Sequence, residues 1–202
     1  MDYDTIMIEK EGSIVILTLN RPDHGNSFNQ RMMRETDYAL RQIGDDHAIR
    51  AVIITGAGEY FCTGIDLSMF TAPKQHADKV VALKDVLPAD DDETFGKGTA
   101  VAAVIRIKNM LKPVIAAVNG PAVGVACNMA LACDILVASE EASFSEIFVR
   151  VGLIPGNGGT QLLPRLVGKN RAKEMIFTGK RIGAPEALSL GIVSKVVPTE
   201  QV

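Results

Sequence analysis

The sequence predicts an α/β protein in which parallel strands are flanked by helices, and three observations carry that class. Short uncharged runs rich in β-branched residues recur at Ser13–Asn20, Ala51–Thr55, Val114–Val118 and Ile135–Ala138. Segments with apolar residues at helical spacing lie between them, and strands alternating with helices pair in parallel with the helices packed on the sheet faces. With 202 residues, 47% hydrophobic and 22% charged, the chain can also bury one sizeable core.

Taken in order, Ile6–Ile8 before Gly12 pairs as a hairpin with Ser13–Asn20. Asn26-Ser27 reads as a helix cap, followed by Phe28, Met32, Met33, Thr36, Ala39, Leu40 and Ile43 at helical spacing, with Gly44 as the stop. Ala51–Thr55, bounded by Gly56, suits a buried parallel strand. Ala72–Lys97 is a charged excursion with helical character over 74–86, and its acidic run Asp90–Glu93 lacks the glycine and alternating ligands of a calcium loop. Thr99–Leu111 reads as an apolar helix ended by Pro113, Val114–Val118 as a strand, Gly124–Ala132 as a buried helix and Ile135–Ala138 as a strand. Gly156–Thr160 forms a tight turn into a helix, Lys169–Phe177 and Pro185–Leu190 are helical, and Val193–Val197 closes as a strand.

Several function classes drop out. A formal charge of −3 argues against a general nucleic-acid binder, though it leaves room for a local basic patch facing a small anion. Cys62, Cys127 and Cys133 are too few and scattered for a disulfide framework or a zinc site, and read as buried free thiols. The uncharged run Pro113–Cys133 is long enough to cross a bilayer, yet its prolines and the Asn119-Gly120 turn split it into strand, turn and helix. The charged N-terminus is no secretory signal. No Walker loop, HExxH, CxxC or GxSxG occurs, and His24, His47 and His76 sit in charged or turn-rich segments that suit the surface.

One pattern points to chemistry. AVIITG-AGEYFCTG-IDL and VIAAVNG-PAVG-VACNMAL share a grammar of strand, Gly, loop, second Gly and helix start. In a parallel sheet such loops emerge at the carboxyl ends of strands, where ligands bind. Gly64 and Gly124 permit close approach, and the next backbone N–H groups, Ile65 and Val125, stand at helix starts. Two such donors meeting at one point make an oxyanion hole. Ordinary strand-to-helix turns share the same pattern.

Those loops belong to a longer set of motifs: LNRPDHGNSFN (19–29), ITGAGEYFCTGIDL (54–67), KPVIAAVNGPAVG (112–124), LACDILVASEEASFSE (131–146), GLIPGNGGTQLLPRLVG (152–168) and TGKRIGAPEALSLGIVSKVVP (178–198). On them the chain resembles the enoyl-CoA hydratase/isomerase (crotonase) family over essentially its whole length. The resemblance implies a crotonase-like spiral of stacked ββα turns with a CoA thioester between the two loops, and assembly into homotrimers or hexamers. It implies that the thioester carbonyl accepts from the Ile65 and Val125 amides beside Gly64 and Gly124, with Asp66, Leu67 and Ser68 along the acyl-pantetheine and Asn26, Ser27 and Phe28 near the adenine. Coenzyme A then enters as part of an acyl-CoA substrate rather than as a resident cofactor, with no metal, nucleic acid or membrane partner, in a cytoplasmic protein.

The sequence also departs from the family. Laid along the motifs, the two glutamates of the hydratases fall on Asn128 and Phe148, the latter a substrate-facing position, and the acidic slot of isomerase relatives falls on Gly156. Glu146 is the nearest carboxylate: either it turns inward as a base, or it is exposed or caps the following turn. The reading is a CoA-thioester enzyme of the hydratase/isomerase type that steadies a thioester enolate. A silent acyl-CoA binder and an acyl-CoA decarboxylase or hydrolase are the alternatives. Relatives continue for several helices past the last strand, so a single core domain, 1–202, lacking most of a C-terminal helical region is expected.

Overall fold

A computed structural model describes residues 3–71 and 99–202. The hairpin forms as β1 (Ile6–Glu11) and β2 (Ile14–Leu19), paired antiparallel from Ile6↔Leu19 to Glu11↔Ile14. Strands β3 (Ala51–Gly56), β4 (Val114–Val118), β6 (Ile135–Ser139) and β9 (Lys195–Val197) extend it in parallel, giving a six-stranded sheet ordered β1-β2-β3-β4-β6-β9. In β4 burial alternates residue by residue, with Val114, Ala116 and Val118 wholly buried, as the two-residue period of a strand dictates.

A second sheet is built from three-residue strands: β5 (Pro121–Val123), β7 (Ser143–Ser145) and β8 (Arg181–Gly183), in the order β5-β7-β8. The chain thus passes from β4 to β5 and then into helix α4 (Val125–Ala132), and from β6 to β7 and then into a 3-10 turn (Ile147–Val151) and helix α5 (Gly159–Val167). Both of these turns of the spiral run strand, short strand, helix. The short strands were not read from the sequence, because three residues carry no periodicity.

Helix α1 (Gln30–Asp45) buries the expected stripe of Met32, Met33, Thr36, Ala39, Leu40 and Ile43. Its cap is displaced from the expected one: Asn29, not Asn26-Ser27, accepts from the Met32 N–H at 2.8 Å. Gly44 does not stop the helix, which ends one residue later, and Phe28 lies before it in a parallel bridge with Ile65. Helices α2 (Ser68–Thr71), α3 (Ala100–Asn109, capped by the Thr99 hydroxyl), α6 (Lys169–Thr178) and α7 (Ala184–Ser189) complete the described elements.

The uncharged run resolves into β4, β5 and α4, and no helix among the described residues is long and apolar enough to cross a membrane. All eight residues of α4 are buried. The three cysteines are buried free thiols, and no group of metal-ligating side chains occurs among the described residues. His24 and His47 are exposed; His76, the 74–86 helix and the acidic run Asp90–Glu93 lie outside the described residues.

Candidate functional site

The loop after β3 is laid alongside β5. Cys62 and Ala122 form an isolated parallel bridge, with the Cys62 N–H donating to Pro121 O and the Val123 N–H donating to Cys62 O, each at 3.0 Å. Three residues beyond the paired positions, on each chain, come Ile65 and Val125. Gly64 packs its α-carbon onto β5 at φ +96°, where an added Cβ would stand 2.8 Å from the Val123 carbonyl oxygen. Gly124 introduces α4 at φ 56°, ψ −114°.

Each of the two amides has its direction set by the carbonyl of its own peptide group. The Phe28 N–H donates to Gly64 O at 2.7 Å, and because a trans peptide points N–H and C=O oppositely, the Ile65 N–H faces away from the Phe28 segment. The Asn128 N–H donates to Gly124 O at 3.0 Å, the first bond of α4, so the Val125 N–H points out of the helix N-terminus, where partial positive charge collects. Neither N–H has an acceptor among the described residues. Both residues line one cavity of about 150 Å³.

That cavity is apolar. Thr63, Gly64, Ile65 and Leu67 line one side, Val123, Gly124 and Val125 another, and Ile147, Phe148, Val151 and Leu153 come from the 3-10 turn and the residues after it. No titratable side chain belongs to its lining among the described residues. The Phe148 ring closes the Gly124 side, 3.6 Å from where a Cβ on that glycine would stand. Larger grooves of about 650 and 470 Å³ share no lining residue with it.

Asn128 and Glu146 lie in the interior, each 0% exposed, and neither is among the residues lining the cavity. Asn128 donates from Nδ2 to Gly156 O at 3.0 Å, while its Oδ1 has no partner among the described residues. Glu146 is neither exposed nor a cap: it precedes the 3-10 turn without a side-chain capping bond, and neither carboxyl oxygen has a hydrogen-bond partner among the described residues. Burial pushes its carboxyl up to about 7, while Cys127 and Asn128 beside it pull weakly the other way without reaching bonding geometry. The Cys127 thiol is itself raised, by burial first and by Glu146 second.

The segment expected near an adenine is largely interior. Asn26 is wholly buried and occupied: its Oδ1 accepts from Arg21 N–H at 2.8 Å, and its Nδ2 donates to Ala57 O and Tyr60 O at 2.8 and 2.7 Å. Phe28 is 1% exposed and belongs to the core, and Ser27 is 8% exposed. Any ligand contact from Asn26 or Phe28 would therefore come from backbone rather than side chain. Asp66 is half-buried, Leu67 and Ser68 are exposed, and Asp66 accepts from Ser68 Oγ at 2.6 Å and Arg21 Nη2 at 3.1 Å. The Ser68 hydroxyl chiefly, with Arg21 behind it, holds the Asp66 carboxyl below its ordinary range. Arg21 was not singled out from the sequence, although it sits inside the first quoted motif.

A spiral of strands and helices whose loops after β3 and β5 line one cavity defines a crotonase-fold α/β protein. Residues 9–202 match the enoyl-CoA hydratase/isomerase family model. A short-chain-enoyl-CoA hydratase of Clostridium acetobutylicum is 41% identical over 202 residues, covering 99% of this chain and 72% of that protein. A probable enoyl-CoA hydratase of Mycobacterium bovis is 39% identical over 200 residues, covering 99% and 71%. The crystal structure of an enoyl-CoA hydratase subunit from Geobacillus kaustophilus superposes with a TM-score of 0.84 at 34% identity, covering 99% of this chain and 71% of the other. The chain belongs to the enoyl-CoA hydratase/isomerase family.

Proposed function

We propose that the protein is a CoA-thioester enzyme of the enoyl-CoA hydratase/isomerase type, holding the thioester carbonyl between the Ile65 and Val125 amides. The observation that carries this is that Ile65 and Val125, whose N–H groups have no acceptor among the described residues, line a single apolar cavity. Loss of an α-proton or of an α-carboxylate leaves an enolate, whose oxygen charge fixed donors stabilise by about 3–4 kcal/mol each. Coenzyme A arrives with the substrate, and trimeric or hexameric assembly in the cytoplasm is part of the same proposal.

That no titratable side chain lines the cavity among the described residues favours one variant of this reading. Asn128 and Phe148, where the resemblance places the two glutamates of the hydratases, and Gly156 offer no proton acceptor near neutral pH, so on this reading general acid–base help of about two to four orders of magnitude is forgone. Decarboxylation of a 2-carboxyacyl-CoA needs no abstracting residue: the C–C bond electrons become the enolate, CO2 departs, and a solvent proton completes the acyl-CoA.

Calorimetric titration with butyryl-CoA, together with assays of crotonyl-CoA hydration, 3-enoyl-CoA bond shift and malonyl-CoA decarboxylation, tests the proposal. Binding with at least one turnover is expected. Binding without turnover leaves the silent acyl-CoA binder, and absence of binding removes the thioester reading altogether.

A further inference from the structure

A guanidinium holds together the two strands of chain that aim one of the amides. Arg21 donates from Nη1 to the carbonyl and, at 3.4 Å, to the hydroxyl of Ser27, and from Nη2 to Asp66 Oδ2 at 3.1 Å. Its side chain and that of Asp66 are only 12% and 17% exposed, so solvent competes weakly for the pair. Between these two anchor points run the backbone bonds that matter: Phe28 N–H to Gly64 O at 2.7 Å and Asp66 N–H to Phe28 O at 3.0 Å. The Gly64–Ile65 peptide plane is therefore pinned through Gly64 O, and its orientation decides where the Ile65 N–H points.

We infer that Arg21 is a positioning residue for the oxyanion site, acting through Ser27 and Asp66 to fix the direction of the Ile65 amide. The inference rests on the thioester reading above. Arginine suits the task because its planar fork spans two acceptors at fixed angles, which a lysine ammonium does not reproduce. The pinned bond matters more to a charged oxygen than to a neutral carbonyl, since a donor tilted out of line loses most where the charge is greatest. Removing Arg21 should thus weaken enolate stabilisation more than ground-state binding.

The test compares two probes on the full chain. Butyryl-CoA reports the neutral thioester, and acetoacetyl-CoA, which ionises readily at its α-carbon, reports the enolate through its ultraviolet band. Arg21→Met should lose about 10- to 100-fold in enolate affinity with butyryl-CoA affinity changed by less than about 3-fold, and Arg21→Lys should recover part of the loss. Asp66→Asn, which leaves an oxygen to accept from Ser68 but removes the charge that faces Arg21, should shift the same ratio and serves where Arg21→Met does not fold. Equal losses for both probes, or no loss for either, overturn the positioning role while leaving the thioester reading standing. Failure of the unaltered protein to bind butyryl-CoA overturns that reading and this inference together.

Discussion

Asn128 donates from Nδ2 to the carbonyl oxygen of Gly156 at 3.0 Å, joining two of the three positions at which the family resemblance expects a carboxyl group. The bond ties the wholly buried helix α4 to the glycine-rich turn ahead of α5. An amide fits this role because it donates without ionising. A glutamate at 128 would bring a buried charge against a carbonyl, which is repulsive. The side chain at this position therefore holds two elements together.

The same side chain leaves no room at Gly159. An added Cβ there would stand 2.6 Å from Asn128 Oδ1 and 2.7 Å from Nδ2. Gly159→Ala should force the amide aside, break its bond to Gly156 and destabilise the protein by about 1–3 kcal/mol. Asn128→Ala removes the obstructing atoms, so the double variant should be more stable than the sum of the single losses implies. Urea unfolding of the four proteins measures the coupling, and strict additivity would show that the two sites do not touch.

Glu146 predicts an unusual pH dependence. Its carboxyl moves from 4.5 to about 7 on folding because burial disfavours the charge. Between those values the folded protein keeps a proton that the unfolded chain has released, so stability falls as pH rises through the window. The span corresponds to on the order of 3 kcal/mol, present in full below 4.5 and lost above about 7. Glu146→Gln should remove this slope and gain on the unaltered protein as pH increases. Denaturant midpoints from pH 4 to 8 decide it: parallel curves for the two proteins would mean the carboxyl is not buried.

Much of this arrangement was legible in the residues. Strands β2, β3, β4 and β6 showed as uncharged β-branched runs, and the stripe of α1 was visible from Met32 to Ile43. The paired loops were legible because Gly64 and Gly124 mark close approach and a helix start. Three things were hidden for physical reasons. Strands β5, β7 and β8 are too short to alternate, and their pairing is decided by partners far along the chain. The cap moved to Asn29 because Asn26 is spent on Arg21, Ala57 and Tyr60, contacts that local pattern does not contain. Whether Glu146 faced solvent, cavity or interior depended on its packing beside Cys127 and Asn128, which spacing alone does not fix.

Helix α1 ends without a basic residue in its last turn, and Lys112 takes that role from far along the chain. Its ammonium donates to the carbonyls of Ile43, Gly44 (3.0 Å) and Asp46 (2.6 Å), serving groups the helix cannot satisfy itself. Lys112→Met keeps the aliphatic stem and removes the donors, and should cost about 1–2 kcal/mol by thermal or urea unfolding. Lys112→Arg should retain most of the stability. An unchanged midpoint in Lys112→Met would assign those carbonyls to solvent.

The two loop glycines separate strain from collision. At Gly124 an alanine meets only the Phe148 ring, at an ordinary 3.6 Å, so the cost of Gly124→Ala is that of holding φ 56° and ψ −114° with a side chain, about 1–3 kcal/mol. At Gly64 the same strain, at φ +96°, is joined by a Cβ placed 2.8 Å from the Val123 carbonyl oxygen, and backbone must give way. Gly64→Ala should therefore be the less stable of the two. It should also move the Ile65 amide away from β5 and depress enolate stabilisation by about two to three orders of magnitude, the loss expected for one oxyanion donor. Gly124→Ala acts on the Val125 amide through a smaller backbone adjustment, and its enolate affinity should fall less. Unfolding midpoints and acetoacetyl-CoA titration on both variants measure the ranking. A Gly64→Ala protein that binds the enolate as tightly as the unaltered chain would show that the loop and β5 are not in contact.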